Sequence, residues 1–90
     1  MTLQDILAQL NANGMTTTLA FNTNQFGTHA RFPGIELKAD GCLRSAYGTG
    51  RTEQEASADY LKQLRGACLV YKAYSPERRE LVIPSLMVDA

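Results

Sequence analysis

The residues with the most chemistry gather in two places. Gly48-Thr49-Gly50 stands just before a helical run that carries Glu53, Glu55 and Asp59. A glycine loop at a helix N-terminus can hold an anion on its backbone N–H groups, and three acids close together on a helix could gather a divalent cation. Neither pattern is complete. The loop lacks the P-loop lysine and the full dinucleotide fingerprint, and acids at a helix start are what the helix dipole favours without any metal. A tight turn leading into a solvated helix start is the simpler expectation. The second place is Tyr71, Tyr74, Arg78 and Arg79. Such a cluster could stack on and clamp nucleic acid. It could equally anchor a protein contact, where Tyr and Arg dominate the binding energy.

The remaining reactive groups are sparse. His29 has no acid or cysteine at useful spacing, so a solvated loop side chain is expected. Cys42 and Cys68 form no Cys-x-x-Cys pair, and with a single histidine a closed zinc site would need a carboxylate or a second chain. They are expected to stay reduced and behave as small apolar residues. Ser45 and Ser57 have no nearby His–acid set, so nucleophilic catalysis is poorly supported. The expectation is a protein that is not an enzyme, with no catalytic residues, no metal and no cofactor.

Ninety residues make one domain, and a 44% hydrophobic content is enough for a real core. A chain this short is marginally stable alone, so dimerisation would help it. Nine basic residues balance nine acidic ones, which weighs against non-specific binding to phosphate backbones. A local patch remains open, because Arg44, Arg51, Lys62, Arg65, Lys72, Arg78 and Arg79 all lie in the second half. The N-terminus lacks the basic region and apolar run of a signal peptide. No stretch approaches about 18 apolar residues, so no membrane span is expected and the location reads as cytoplasmic.

These residues must be positioned by a small set of elements. Thr2 and Asp5 make a capping box for a first helix whose stripe is Leu3, Ile6, Leu7 and Leu10, ending at Asn13-Gly14. Met15 to Asn22 alternates as a strand, and Thr23 to Thr28 is turn chemistry. A second strand starts near His29, with Pro33-Gly34 marking a bulge or an edge. Ile35 to Lys38 and Cys42 to Tyr47 form a hairpin. A three-residue loop, Ala39-Asp40-Gly41, would set Leu37 opposite Leu43 and Glu36 opposite Arg44, separating apolar from charged side chains. Thr52 and Glu55 form a second capping box, for a helix from Glu53 to about Arg65 with Ala56, Tyr60, Leu61 and Leu64 buried and Gly66 as its stop. Cys68 to Tyr74 and Arg79 to Ile83 make a final hairpin around a Ser75-Pro76-Glu77-Arg78 turn, with a loose or partner-bound tail over 85–90.

This order over residues 2–66 resembles the double-stranded-RNA-binding domain. Phe21 through Phe32 looks like that family's first strand, loop and second strand, and Gly48-Thr49-Gly50-Arg51-Thr52 looks like the glycine-rich approach to its second helix. The resemblance implies an α+β fold: α-β-β-β-α, with a three-stranded antiparallel sheet covered by two helices on one face. Residues 67–84 would then be an added C-terminal β-hairpin. It also implies RNA contacts at His29, Arg31, Arg51, Thr52 and Gln54. The chain departs from the family where lysines should grip phosphate, since Glu53, Gln54 and Ser57 stand there and an acid repels phosphate. Phe32-Pro33-Gly34 and Gly50 to Ala56 more weakly resemble HicB-like antitoxins, in which a strand follows the helix.

Compact size and neutral charge resemble small phage or mobile-element accessory proteins. The expected function is a non-catalytic protein-interaction or regulatory module. Its unknown protein partner would be held by Tyr71, Tyr74, Arg78 and Arg79, and a homodimer is a further expectation. The alternative is a domain binding double-stranded RNA or another nucleic acid through an atypical, weakly basic surface.

Overall fold

Both helices start where side chains can satisfy the first free N–H groups. Thr2 Oγ1 accepts from the Asp5 N–H at 3.2 Å, and Asp5 Oδ2 accepts from the Thr2 N–H at 2.8 Å. The Thr2 hydrogen bonds hold the Asp5 carboxyl below the usual carboxylate range. This cap opens α1 (Leu3–Ala12), whose buried stripe is Leu3, Ile6 and Leu10. Gly14 ends it in the left-handed region at φ +76°. The second helix has only half a capping box. Glu55 N–H donates to Thr52 Oγ1 at 3.1 Å, but the Glu55 carboxylate faces the Arg51 N–H, at 3.5 Å, instead of the Thr52 N–H.

The computed structural model describes residues 2–39 and 41–84. Among the described residues, α1 is followed by β1 (Ala20–Asn24), β2 (Gly27–Arg31), β3 (Ile35–Ala39), β4 (Cys42–Arg44), β5 (Gly48–Gly50), α2 (Glu53–Leu64), β6 (Cys68–Tyr71) and β7 (Arg79–Val82). The fold is α+β with antiparallel sheets, but its sheet plan differs from the single meander expected. The described strands form a three-stranded sheet, β1-β2-β5, and a four-stranded sheet, β4-β3-β6-β7. The final hairpin is not an appendage, since β6 lies beside β3 and pairs Leu37 with Leu69 and Ile35 with Tyr71. One continuous core joins Leu3, Ile6 and Leu10 of α1, Ala56, Tyr60 and Leu64 of α2, and buried residues of both sheets.

Pro33-Gly34 is the point where the chain changes sheet, not a bulge. Ile35 N–H donates to the Phe32 carbonyl at 3.1 Å, and Gly34 sits at φ +81°, as a type II turn with Pro in its second position requires. Tyr60 fixes this corner from α2: its buried hydroxyl accepts the Phe32 N–H at 3.2 Å, and its ring lies 5.4 Å from that of Phe32. Burial pushes the Tyr60 phenol up.

Two further strand expectations change. Only Ala20 onward joins a ladder. From Met15 to Leu19 the alternation persists without one, with Met15 and Thr17 buried and Thr16 and Thr18 exposed. Thr17 donates its N–H to Asn11 Oδ1 and its hydroxyl to the Pro33 carbonyl at 2.6 Å, so this backbone finds partners outside any sheet. The β3–β4 hairpin pairs Ala39 with Cys42 and Leu37 with Arg44, the two-residue loop and not the three-residue one. Apolar matching does not decide that register, because Leu37 meets its apolar partner Leu69 on the other side of β3. The turn role expected of Asp40 and the tail over 85–90 lie outside the described residues.

Gly48-Thr49-Gly50 is a strand, not a turn. Its glycines answer a demand for space. A Cβ on Gly48 would strike the Ala56 carbonyl oxygen and lie 2.5 Å from Tyr60 Cβ, and one on Gly50 would strike the Glu55 side chain. With no Cβ at either position, α2 rests directly on the β5 backbone. Gly34 is the opposite case, with no atom within 4 Å of its would-be Cβ. Gly48→Ala is therefore expected to cost about 3 kcal/mol through overpacking, and Gly34→Ala about 1–2 kcal/mol through backbone strain. Urea unfolding midpoints for the two variants test this, and equal losses would refute the close-approach reading.

Candidate functional site

The three-stranded sheet has an inner and an outer face. Thr28 and Ala30 are buried on the inner side, so the alternate residues of β2, His29 and Arg31, point outward. Ladder pairing brings Asn22 and Thr49 beside His29, and Ala20 beside Arg31. Tyr47, just before β5, joins them around an open groove of about 480 Å³, lined by Ala20, Phe21, Asn22, His29, Arg31 and Tyr47. Phe21 borders it as part of the free edge, since its side chain, opposite buried Ala30, belongs to the inner face. The Tyr47 and His29 rings meet edge to face at 5.1 Å and 86°. His29 Nδ1 lies 3.4 Å from Thr49 Oγ1. His29 is thus a strand residue in a groove, not a loop side chain.

The helix behind β5 holds this side of the groove in place. Asp59 Oδ2 accepts the Thr49 N–H at 2.9 Å, and Gln63, one turn on, donates to the Tyr47 carbonyl at 2.9 Å and to Asp59 at 3.2 Å. The same contacts remove the anion-loop reading, because the Thr49 and Arg51 N–H groups already face the carboxylates of Asp59 and Glu55. Those acids do not gather a cation either: among the described residues no cluster of three or more His, Cys, Asp or Glu is placed to hold a metal ion.

The residues anticipated for RNA contact separate. His29 and Arg31 share the groove. Thr52 is the α2 cap, its hydroxyl engaged by the Glu55 N–H, while Arg51 and Gln54 are exposed around that helix start. The four hairpin residues separate as well. Tyr71 packs against the core with the Lys72 ammonium 5.4 Å from its ring centre, while Tyr74 is 89% exposed on the connecting loop. Arg78 pairs with Glu80 at 2.8 Å. Arg79 lies opposite Tyr71 and over Gly14, at the end of α1. Lys72 pairs with Glu77 at 2.7 Å, so acids of the hairpin neutralise two of its cations. Asn22 and Tyr47 are the site residues that sequence reading missed. Their signal was Thr49 between two glycines, whose extended pairing with His29 would have brought Tyr47 alongside.

A second depression of about 300 Å³ between the helices, lined by residues such as Leu3, Leu19 and Leu61, carries no titratable side chain. No family model, curated protein or solved structure matches the chain. The groove is therefore read from its own chemistry.

Both cysteines are free, but neither is the small apolar residue expected. Cys42 is exposed, and Cys68 is half-buried with its thiol donating to Glu80 Oε1 at 3.3 Å. Burial, the Glu80 hydrogen bond and the Glu80 charge push the Cys68 thiol up. A raised pKa leaves less thiolate at a given pH. Iodoacetamide near pH 8 should therefore alkylate Cys42 several-fold faster than Cys68, as read by mass spectrometry. Glu80→Gln should narrow the gap, and equal rates in the unaltered protein would contradict the assignment.

Proposed function

We propose that this chain is a non-catalytic protein-interaction or regulatory module that holds its partner in the outer groove of the β1-β2-β5 sheet. The observation that carries the reading is the meeting of Arg31, His29, Asn22 and Tyr47 in one open concavity. Unlike Arg78 and Lys72, Arg31 has no carboxylate partner among the described residues. A guanidinium is suited to a carboxylate, which it grips through two parallel hydrogen bonds. The Tyr47 ring supplies apolar wall without much side-chain entropy to lose. The partner chemistry that fits is an acidic side chain next to an aromatic or apolar one, on an exposed protein segment.

Nucleic acid is less well supported. Phosphate-driven binding grows with the number of cations engaged. The groove has one guanidinium and one histidine, while Glu53 and Glu55 border the helix start that would have met phosphate. A capped Glu-Phe dipeptide amide serves as the probe. Amide resonances of Asn22, His29, Arg31 and Tyr47 are expected to shift and saturate with a millimolar Kd, as for a single anchor, and Arg31→Ala should weaken this about tenfold or more. Tyr74→Ala should leave it unchanged. Saturable, salt-sensitive binding of a 20-base-pair RNA duplex of about micromolar affinity at the same residues, without a peptide response, would transfer the site to the nucleic-acid reading. No groove shift with either probe would remove the site altogether.

A further inference from the structure

The two edges of the three-stranded sheet are finished differently. At β5, Asp59 and Gln63 take up the outward Thr49 N–H and Tyr47 carbonyl. At β1 nothing comparable exists among the described residues. The β1–β2 ladder closes with Asn24 opposite Gly27, across the two-residue loop Gln25-Phe26. The residues that flank such a loop form a hydrogen-bonded pair, and bonded pairs alternate with open ones. Asn24, Asn22 and Ala20 therefore bond inward to β2, and Phe21 and Thr23 turn their N–H and C=O groups away from the sheet. The same phase is visible across β2, where Thr49, opposite His29, also turns its N–H outward and gives it to Asp59. Natural edges are usually guarded by charge, proline, a bulge or a covering element. The strand Ala20-Phe21-Asn22-Thr23-Asn24 has no charge and no proline, and its last four residues are exposed.

We propose that β1 pairs antiparallel with β1 of a second copy of this chain, about a two-fold axis at Asn22. In that register Phe21 faces the second copy's Thr23, and Thr23 its Phe21. Both are outward-pointing residues, so both pairs form their main-chain hydrogen bonds. Asn22 faces its own copy as the close, non-bonded pair, and Ala20 faces Asn24. No charge meets a like charge across the seam, which is what makes this neutral strand self-complementary. A second copy also adds buried area to a chain whose own core is small. The three-stranded sheet is doubled, and the row His29–Asn22 runs on into Asn22–His29 of the second copy. The two grooves then share one continuous outer face. This pairing stands on the edge geometry, whether or not the groove binds a carboxylate.

Sedimentation equilibrium tests the association, and engineered cysteines test the register. The unaltered protein should reach twice its monomer mass at high micromolar concentration. In a Cys42→Ser background, Asn22→Cys should cross-link most of the chain under mild oxidation. The non-bonded pair places the two Cα atoms about 4.5 Å apart, within disulfide reach. Asn24→Cys should not cross-link, because in this register each copy of residue 24 faces Ala20. Thr23→Pro removes an outward N–H from each copy and no main-chain hydrogen bond of the β1–β2 ladder, and should weaken association about 30-fold through two lost hydrogen bonds. Thr23→Val, which deletes only the hydroxyl bonded to Thr28 Oγ1, should not. Asn22→Lys, which sets like charges face to face, should weaken association too. A strict monomer at high concentration would overturn the proposal. A dimer that cross-links equally well through both cysteine positions, or that is insensitive to Thr23→Pro and Asn22→Lys, would overturn it as well.

Discussion

The contact on which the rest of the molecule depends is the seat of α2 on the β5 backbone at Gly48 and Gly50. Without a Cβ at either position, the helix approaches until the Ala56 carbonyl and the Tyr60 Cβ occupy the space a side chain would need. That depth has three consequences. It puts Asp59 and Gln63 within reach of Thr49 and Tyr47, so the β5 edge is closed by side chains. It carries the Tyr60 hydroxyl to Phe32, where the chain leaves one sheet for the other. It also sets the level of Tyr47 relative to His29, and so the shape of the outer groove.

The parts of this arrangement that sequence disclosed are those set by local rules. Leu3, Ile6 and Leu10 repeat at helical spacing, and Thr2 and Asp5 cap each other at a three-residue separation, so α1 needs no distant information. The same holds for α2, for the Ser75–Arg78 turn and for the β6–β7 hairpin. What sequence did not disclose is which strands are neighbours. Alternation says that Leu37 and Leu43 each have a preferred face, but not that Leu37 is served by Leu69 from beyond α2, leaving β4 free to pair by its loop. Gly48 and Gly50 were misread for a related reason. Glycine serves both positive φ and close approach, and composition cannot tell the two apart. Of the candidate site, His29 and Arg31 were legible as exposed, chemically able residues. Tyr47 was not, because it joins the groove only through β2–β5 pairing.

The distribution of charge separates the two surfaces that could hold a partner. On the hairpin, Lys72 and Arg78 are matched by Glu77 and Glu80 within the same short segment, so its field is largely cancelled locally. On the outer face of the three-stranded sheet a guanidinium, an imidazole, an amide and the Tyr47 ring converge with no acid among them. A chain with balanced total charge can thus still present a locally distinctive surface, and that is why net charge alone says little about recognition here.

The position of β6 has a consequence for how the chain acquires its shape. It is an interior strand of its sheet, yet it is delivered only after α2, and its partner β3 lies more than a full helix earlier. As the polypeptide leaves the ribosome, β1, β2, β5 and α2 emerge before β6, so the edge of β3 away from β4 stays unpaired until residues 68–71 follow. β6 then adds to that edge and β7 to β6, a long-range pairing of the kind that slows folding. Until then the nascent chain carries an unpaired strand edge, the sort of surface that chaperones shield.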